Sequence, residues 1–165
     1  MVNKFLIAIA GVVAVMAALV LVPSFNKSSP GEQQDLSIEY TRQNLTQIED
    51  GRLMAGSAED LIIKNDLSAI YRNLTGAPDE KKFTITNDEM SRLKGLIIST
   101  GFMQVPGTDY PQKDGLASLT KYVLKLESGG SSKTITWVNV EASGVPVPSI
   151  VTKIGTELDV IMKGI

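Results

Sequence analysis

Residues 119–140 read LTKYVLKLESGGSSKTITWVNV, and their alternation decides the fold. Tyr122, Leu124 and Leu126 fall on one side of an extended segment, and Ile135 and Trp137 on one side of the next. Apolar residues two apart share a face of a strand, so this is the period of a sheet with one buried side. The spacing predicts a hairpin of Leu119–Glu127 with Lys133–Val140, joined through Ser128–Ser132, where Gly129 and Gly130 supply the turn. Trp137, the single tryptophan, sits in the middle of that pattern and is expected in the core and not as a ligand platform.

On the C-terminal side, Val145-Pro146-Val147-Pro148 breaks the sheet and places Pro148 near the first turn of a closing helix. Ile150, Val151, Ile154, Leu158 and Ile161 give that helix one apolar face. Upstream of the hairpin, Thr86 and Glu89 have the spacing of a capping box, with Met90, Leu93, Leu96 and Ile97 behind it at helical period. Gly101 is placed to end that helix in a left-handed conformation, Phe102 and Val105-Pro106 to fold back under its end, and Gly107–Gly115 to form a connecting loop. Further upstream, Leu36, Ile38 and Tyr40 alternate with polar residues in a predicted strand Leu36–Arg42. A loop from Gln43 to Ala58 follows, whose central part could pair weakly as a hairpin around Asp50-Gly51. Leu61–Ile63 and Leu67–Tyr71 are expected to pair across Asn65-Asp66, and Ala77–Glu80 to turn into a short strand Lys82–Ile85. Strands, helix, hairpin, helix in that order describe an α+β domain over residues 36–165, an antiparallel sheet with two packed helices.

The chain opens differently. Lys4 precedes an uncharged run from Phe5 to Val22, about 18 residues or roughly 27 Å at ~1.5 Å per residue, near the ~30 Å hydrocarbon thickness. No small-x-small cleavage site follows it, so residues 1–23 are expected to be an uncleaved signal anchor with the amino terminus in the cytoplasm. Residues 24–35 (SFNKSSPGEQQD) carry no apolar period and read as a flexible stalk. The expected address is therefore the cell membrane, single-pass, with the C-terminal domain extracytoplasmic; cleavage of the leading segment would make the domain secreted. The membrane is the first predicted partner.

Composition narrows the chemistry. The 165 residues include no histidine and no cysteine, which removes the usual neutral-pH base, the commonest zinc ligand and every Ser-His-Asp or Cys-His arrangement. Glu59-Asp60, Asp79-Glu80 and Asp88-Glu89 are adjacent pairs whose side chains diverge, unlike the facing carboxylates of a glycosidase. No calcium loop, phosphate-cradling glycine loop or dinucleotide fingerprint is present. The expectation is a non-enzymatic domain with no catalytic residue, no metal and no cofactor. Sixteen basic against 18 acidic side chains, with no basic stripe, argue against nucleic acid as a partner.

The stretch from Leu93 through Gly101-Phe102, Val105-Pro106, Tyr122–Leu126, Gly129-Gly130, Lys133–Trp137, Val145-Pro146 and the terminal helix resembles emfourin and related small prokaryotic proteins, over about residues 83–161. The resemblance implies a proteinaceous inhibitor of thermolysin-type metallopeptidases, an exported peptidase being its partner. Gln43-Asn44 stands where such inhibitors are expected to carry a glycine pair. A blocking loop needs rigid contact material, and Thr108, Asp109, Tyr110 and Pro111 offer an aromatic beside a proline. The Gln43–Ala58 loop is the alternative surface. A different class of function, a structural or accessory cell-envelope protein, is suggested by the anchor, the stalk and three Asn-x-Ser/Thr sequons at Asn26, Asn44 and Asn73 that could carry glycan.

Overall fold

The computed structural model describes residues 35–77 and 79–165. The proposed anchor, residues 24–34 of the stalk, the sequon at Asn26 and Pro78 lie outside them. In chain order the elements are β1 (Leu36–Gln47), β2 (Leu53–Ile63), β3 (Ser68–Asn73), β4 (Asp79–Thr84), α1 (Asn87–Ser99), a 3-10 turn (Phe102–Gln104), β5 (Asp109–Tyr110), β6 (Ser118–Ser128), β7 (Ser131–Val138) and α2 (Ser149–Lys163). The strands form one seven-stranded sheet in the order β4-β3-β2-β1-β6-β7-β5. Every neighbouring pair is antiparallel except β5 with β7. This is the α+β layout expected of the described part of the chain.

Both helices pack on one face. Registers Ile38↔Ile63, Ile38↔Leu126, Tyr40↔Leu61, Tyr40↔Leu124 and Leu124↔Ile135 line up the buried residues of neighbouring strands. Met90, Leu93 and Ile97 of α1 and Val151, Ile154, Leu158 and Ile161 of α2 close over them in a single cluster. Each such side chain stabilises the fold by about 1.5–3 kcal/mol on burial. The capping box forms as the sequence predicts, with Thr86 Oγ1 accepting from Glu89 N and the Glu89 carboxylate accepting from Thr86 N at 2.7 Å. Gly101 follows α1 at φ 67°, the left-handed conformation a helix end uses.

Several boundaries differ from expectation, among them the end of β7, at Val138 and not Val140, and the short β5 inside the predicted Gly107–Gly115 loop. The β1 strand runs on to Gln47 and β2 begins at Leu53, so Gln43–Ala58 is not a loop but a long hairpin turning at Ile48–Arg52, with Gly51 at φ 83°. In the β1 half polar residues on both faces, Leu45 apart, hid it, because this end is held largely by the ladders to β2 and β6. Leu67 belongs to a turn and not to β3: its φ is 69°, and Asp66 Oδ1 accepts from both Ser68 N and Ser68 Oγ. The β4 strand starts at Asp79, inside the predicted turn, paired with Asn73. The β6–β7 connection shortens to Gly129-Gly130, whose φ values of 56° and 76° suit a two-residue hairpin turn.

Candidate functional site

The β1 strand leaves the cover of the helices between Tyr40 and Arg42. On that face Arg42↔Glu59 and Arg42↔Tyr122 stand side by side across three strands, and Trp137 stands beside Tyr122. Cross-strand register thus stacks the rings: Tyr122 and Trp137 centroids are 5.2 Å apart, and Tyr40 lies 6.2 Å from each. Gly155 lets α2 settle on this stack, since a Cβ there would meet Trp137 Cζ2 at 2.9 Å. Trp137 is only 3% exposed and is a core residue.

A polar chain crosses the rim of the stack. Tyr40 Oη donates to Asp159 Oδ1 at 3.1 Å, and Arg42 Nη1 donates to the same oxygen at 3.2 Å. Arg42 Nε donates to Glu59 Oε2 at 2.9 Å, while Tyr71 Oη donates to Glu59 Oε1 at 2.8 Å. Burial, reinforced by the Asp159 charge, pushes the Tyr40 hydroxyl far above the ordinary tyrosine range. Burial also raises Tyr122 and Tyr71, the latter helped by its bond to Glu59. For Arg42, burial opposes the charge, but Glu59 and Asp159 outweigh it and its pKa rises. Beside this chain opens a cleft of about 210 Å³, walled by Tyr122 and Trp137 and edged by Asn139, Thr152, Thr156 and Asp159. Its aromatic wall and oxygen-rich edge suit a small planar or hydroxylated group, since the Thr oxygens and the carboxylate can all accept hydrogen bonds.

The shifts resolved elsewhere move away from neutrality. Asp66, Glu80, Glu89 and Glu141 are lowered, by hydrogen bonds first, and Lys125 is raised by its bonds to Glu127 and Glu39. A general acid or base works best with a pKa near the operating pH, and none of these groups is moved toward it. Among the described residues no three His, Cys, Asp or Glu side chains converge as a metal site would require, and no helix is long and apolar enough to cross a membrane.

The residues singled out from sequence fall in three places. Thr108, Asp109 and Pro111 are exposed, but Tyr110 is 8% exposed, which corrects its reading as an exposed contact aromatic. It lies in β5 beside Trp137, and its hydroxyl donates to the carbonyl of Pro106. The Gly107–Gly115 loop is thus pinned to the sheet edge by its own aromatic. Asn44 lies inside β1, its Nδ2 donating to Ser57 Oγ at 2.8 Å and its Oδ1 accepting from Thr120 Oγ1 at 3.0 Å. Asn73 ends β3, with Oδ1 accepting from Thr75 N at 2.9 Å. Sequence reading missed the Tyr40–Asp159 contact, whose partners are 119 residues apart. No local signal singled it out, since Glu157 and Asp159 both flank Leu158 in an amphipathic helix that also carries Thr152, Lys153 and Thr156. No protein-family model matches this chain, and no curated protein matches it.

Proposed function

We propose that this chain is a membrane-tethered, extracytoplasmic domain that acts by protein contact and not by catalysis. The observation that carries the reading is the sheet itself, which extends past its helices: β1, β2 and β6 continue from Arg42 to Gln47, Glu59 to Leu53 and Tyr122 to Ser118. Side chains there, such as Asn44, Thr46 and Met54, are exposed. An extension without its own large core adds surface at little gain in stability, which is what a contact domain requires. The uncharged run Phe5–Val22 supports the tether, and the lack of histidine and cysteine suits a function that needs no nucleophile.

The favoured partner is an exported thermolysin-type metallopeptidase, on the emfourin resemblance, with the β1–β2 hairpin taking the place of Tyr110 as the principal contact. A pre-organised hairpin blocks a cleft with little ordering cost. The test is inhibition of such a peptidase by the full chain in detergent micelles, beside a Met54→Asp variant of the hairpin and a Thr108→Ala, Pro111→Ala variant of the loop. Inhibition weakened by Met54→Asp alone supports both partner and surface; weakening by the loop variant alone returns the contact to Thr108–Pro111. No inhibition by the unaltered chain removes the peptidase.

A structural or accessory role in the cell envelope is the second reading, and Asn73 favours it. That sequon sits at a strand end, in the turn position where glycan is sterically tolerated, whereas both amide atoms of Asn44 are engaged within the sheet. Intact-mass measurement after expression in a glycosylating host checks it: glycan is expected at Asn73 and not at Asn44.

A further inference from the structure

The three exposed borders of the sheet are finished differently. Along β4 the outermost strand carries Asp79, Glu80, Lys81 and Lys82, with Glu80 paired to Arg72 and Lys82. Charged side chains of this kind discourage strand addition. On the opposite border β5 lies against β7, and Lys133 Nζ donates to the carbonyls of Met103 and Val105. The third border is the outer side of β2 beyond the end of β3. Pairing with β3 stops at Glu59↔Asn73, after which Leu74 N donates to Ala58 O and Thr75 Oγ1 accepts from Ala58 N. Among the described residues, no strand lies outside β2 from Leu53 to Ser57.

Backbone groups on this border point outward. Gln47 N donates to Ala117 O on the β6 side, so Gln47↔Leu53 is a pair that exchanges no hydrogen bonds, and Leu53 turns its N–H and C=O away from β1. Alternation gives the same for Ala55↔Leu45, and it ends there, because the register shifts between Leu45↔Ala55 and Asn44↔Ser57 and leaves Gly56 as a bulge. The sequence Leu53-Met54-Ala55-Gly56-Ser57 contains no charge and no proline, and Met54 is 59% exposed at one end while Leu74 is 50% exposed at the other. The nearest charges in the turn, Asp50 and Arg52, pair with each other.

We propose that the outer edge of β2, Leu53–Ser57, is a strand-addition site for an uncharged, extended peptide segment of a partner protein, seated on the continuation of the β3 track, where no described strand lies. The partner's chemistry follows from the edge: main-chain groups to pair with Leu53 and Ala55, small apolar or hydroxyl side chains to lie near Met54 and Leu74, and no charge, because nothing along the edge would neutralise one. This surface rests on the reading of the chain as a contact domain, but it needs neither the membrane tether nor a peptidase as the partner.

Amide hydrogen exchange of the full chain in detergent micelles tests it, with the capped hexapeptide acetyl-Thr-Val-Thr-Val-Thr-Val-amide as probe and its Thr-Glu-Thr-Glu-Thr-Glu counterpart as the charged control. At about ten times its Kd the neutral probe is expected to slow exchange at Leu53 and Ala55 roughly tenfold. The charged peptide is expected to leave it unchanged. Ala55→Lys, which puts a charge on the edge, abolishes the protection, and Ala55→Thr keeps it; unaltered exchange in the helix-covered half of β6 shows that each variant is folded. Should Ala55→Lys fail that check, Met54→Lys replaces it. No protection up to the solubility limit of the probe, protection on β4 instead, or protection that survives the lysine variant overturns the site. Protection that rises with chain concentration in the absence of probe assigns the edge to a second copy and overturns the partner proposed. Probe pairing without peptidase inhibition removes the peptidase and leaves the edge, while inhibition without probe pairing does the reverse.

Discussion

On one face of β1, Leu36, Ile38 and Tyr40 lie under the two helices and are buried, whereas Arg42, Asn44 and Thr46, further along the same face, do not. Both halves are strand, paired on both sides by β2 and β6. The difference teaches what holds each. The covered half is stabilised by apolar area removed from water, so its side chains cannot change size freely. The projecting half is held by its ladders, by Arg42 with Glu59, by Asn44 with Ser57 and Thr120, and by a small separate cluster of Leu119, Val138 and Ala142 with Leu45, Leu53 and Leu116 packed against it. Its surface is therefore open to variation, and a binding function can be carried there without disturbing the core.

Truncating one leucine in each half probes the contrast most strongly. Leu158→Ala, in the fully buried face of α2, is expected to cost about 4 kcal/mol, and Leu119→Ala about 2 kcal/mol because the smaller cluster can collapse around the gap. Chemical denaturation measures both; equal losses would mean that the projecting half has a core of its own. Next in size is Gly155→Val, since the added atoms must enter the space of the Trp137 ring. Overpacking of that kind costs about 1–3 kcal/mol, and the tryptophan fluorescence of the native state is expected to change with it.

At the seam between the halves the effect is smaller and depends on pH. Tyr40→Phe deletes the hydrogen bond to Asp159 and is expected to cost about 1 kcal/mol at neutral pH. The folded state holds the Tyr40 proton that an unfolded tyrosine releases near its ordinary value of 10.0, so stability present below that pH falls as pH rises above it. Thermal unfolding between neutral and strongly alkaline pH should show a steeper loss for the unaltered chain than for Tyr40→Phe; parallel curves would mean that Tyr40 is not protected from ionisation. Smallest of all, Ala55→Thr on the open edge of β2 is expected to shift stability by no more than about 0.5 kcal/mol. A larger loss would show that the edge is part of the folding unit and not spare surface.

The covered half was legible from residues because burial writes a period. Leu36, Ile38 and Tyr40 alternate, α2 repeats its apolar residues at helical spacing, and Thr86 with Glu89 marks the start of α1, all local patterns that the structure reproduces. The projecting half carries no such mark. Gln43–Gln47 is polar on both faces but for Leu45, so only the neighbouring strands show that it is extended. Tyr110 misled for the opposite reason: an aromatic beside a proline in a Gly-rich stretch looks like loop, but its contacts with the sheet edge come from β7, far along the chain.

By itself the amino-acid sequence determined the class of the domain, the two helices and the capping box of the first, the β6–β7 hairpin and the absence of histidine and thiol chemistry. Those depend on residue identity and on spacings of two to four positions. Tertiary structure alone decided how far β1 and β2 extend, that Tyr110 is buried, that Asp159 meets Tyr40 and Arg42, and that no described strand lies outside Leu53–Ser57. Each of these is a relation between segments distant in the chain, set by the order in which strands pair, and no local period records that order.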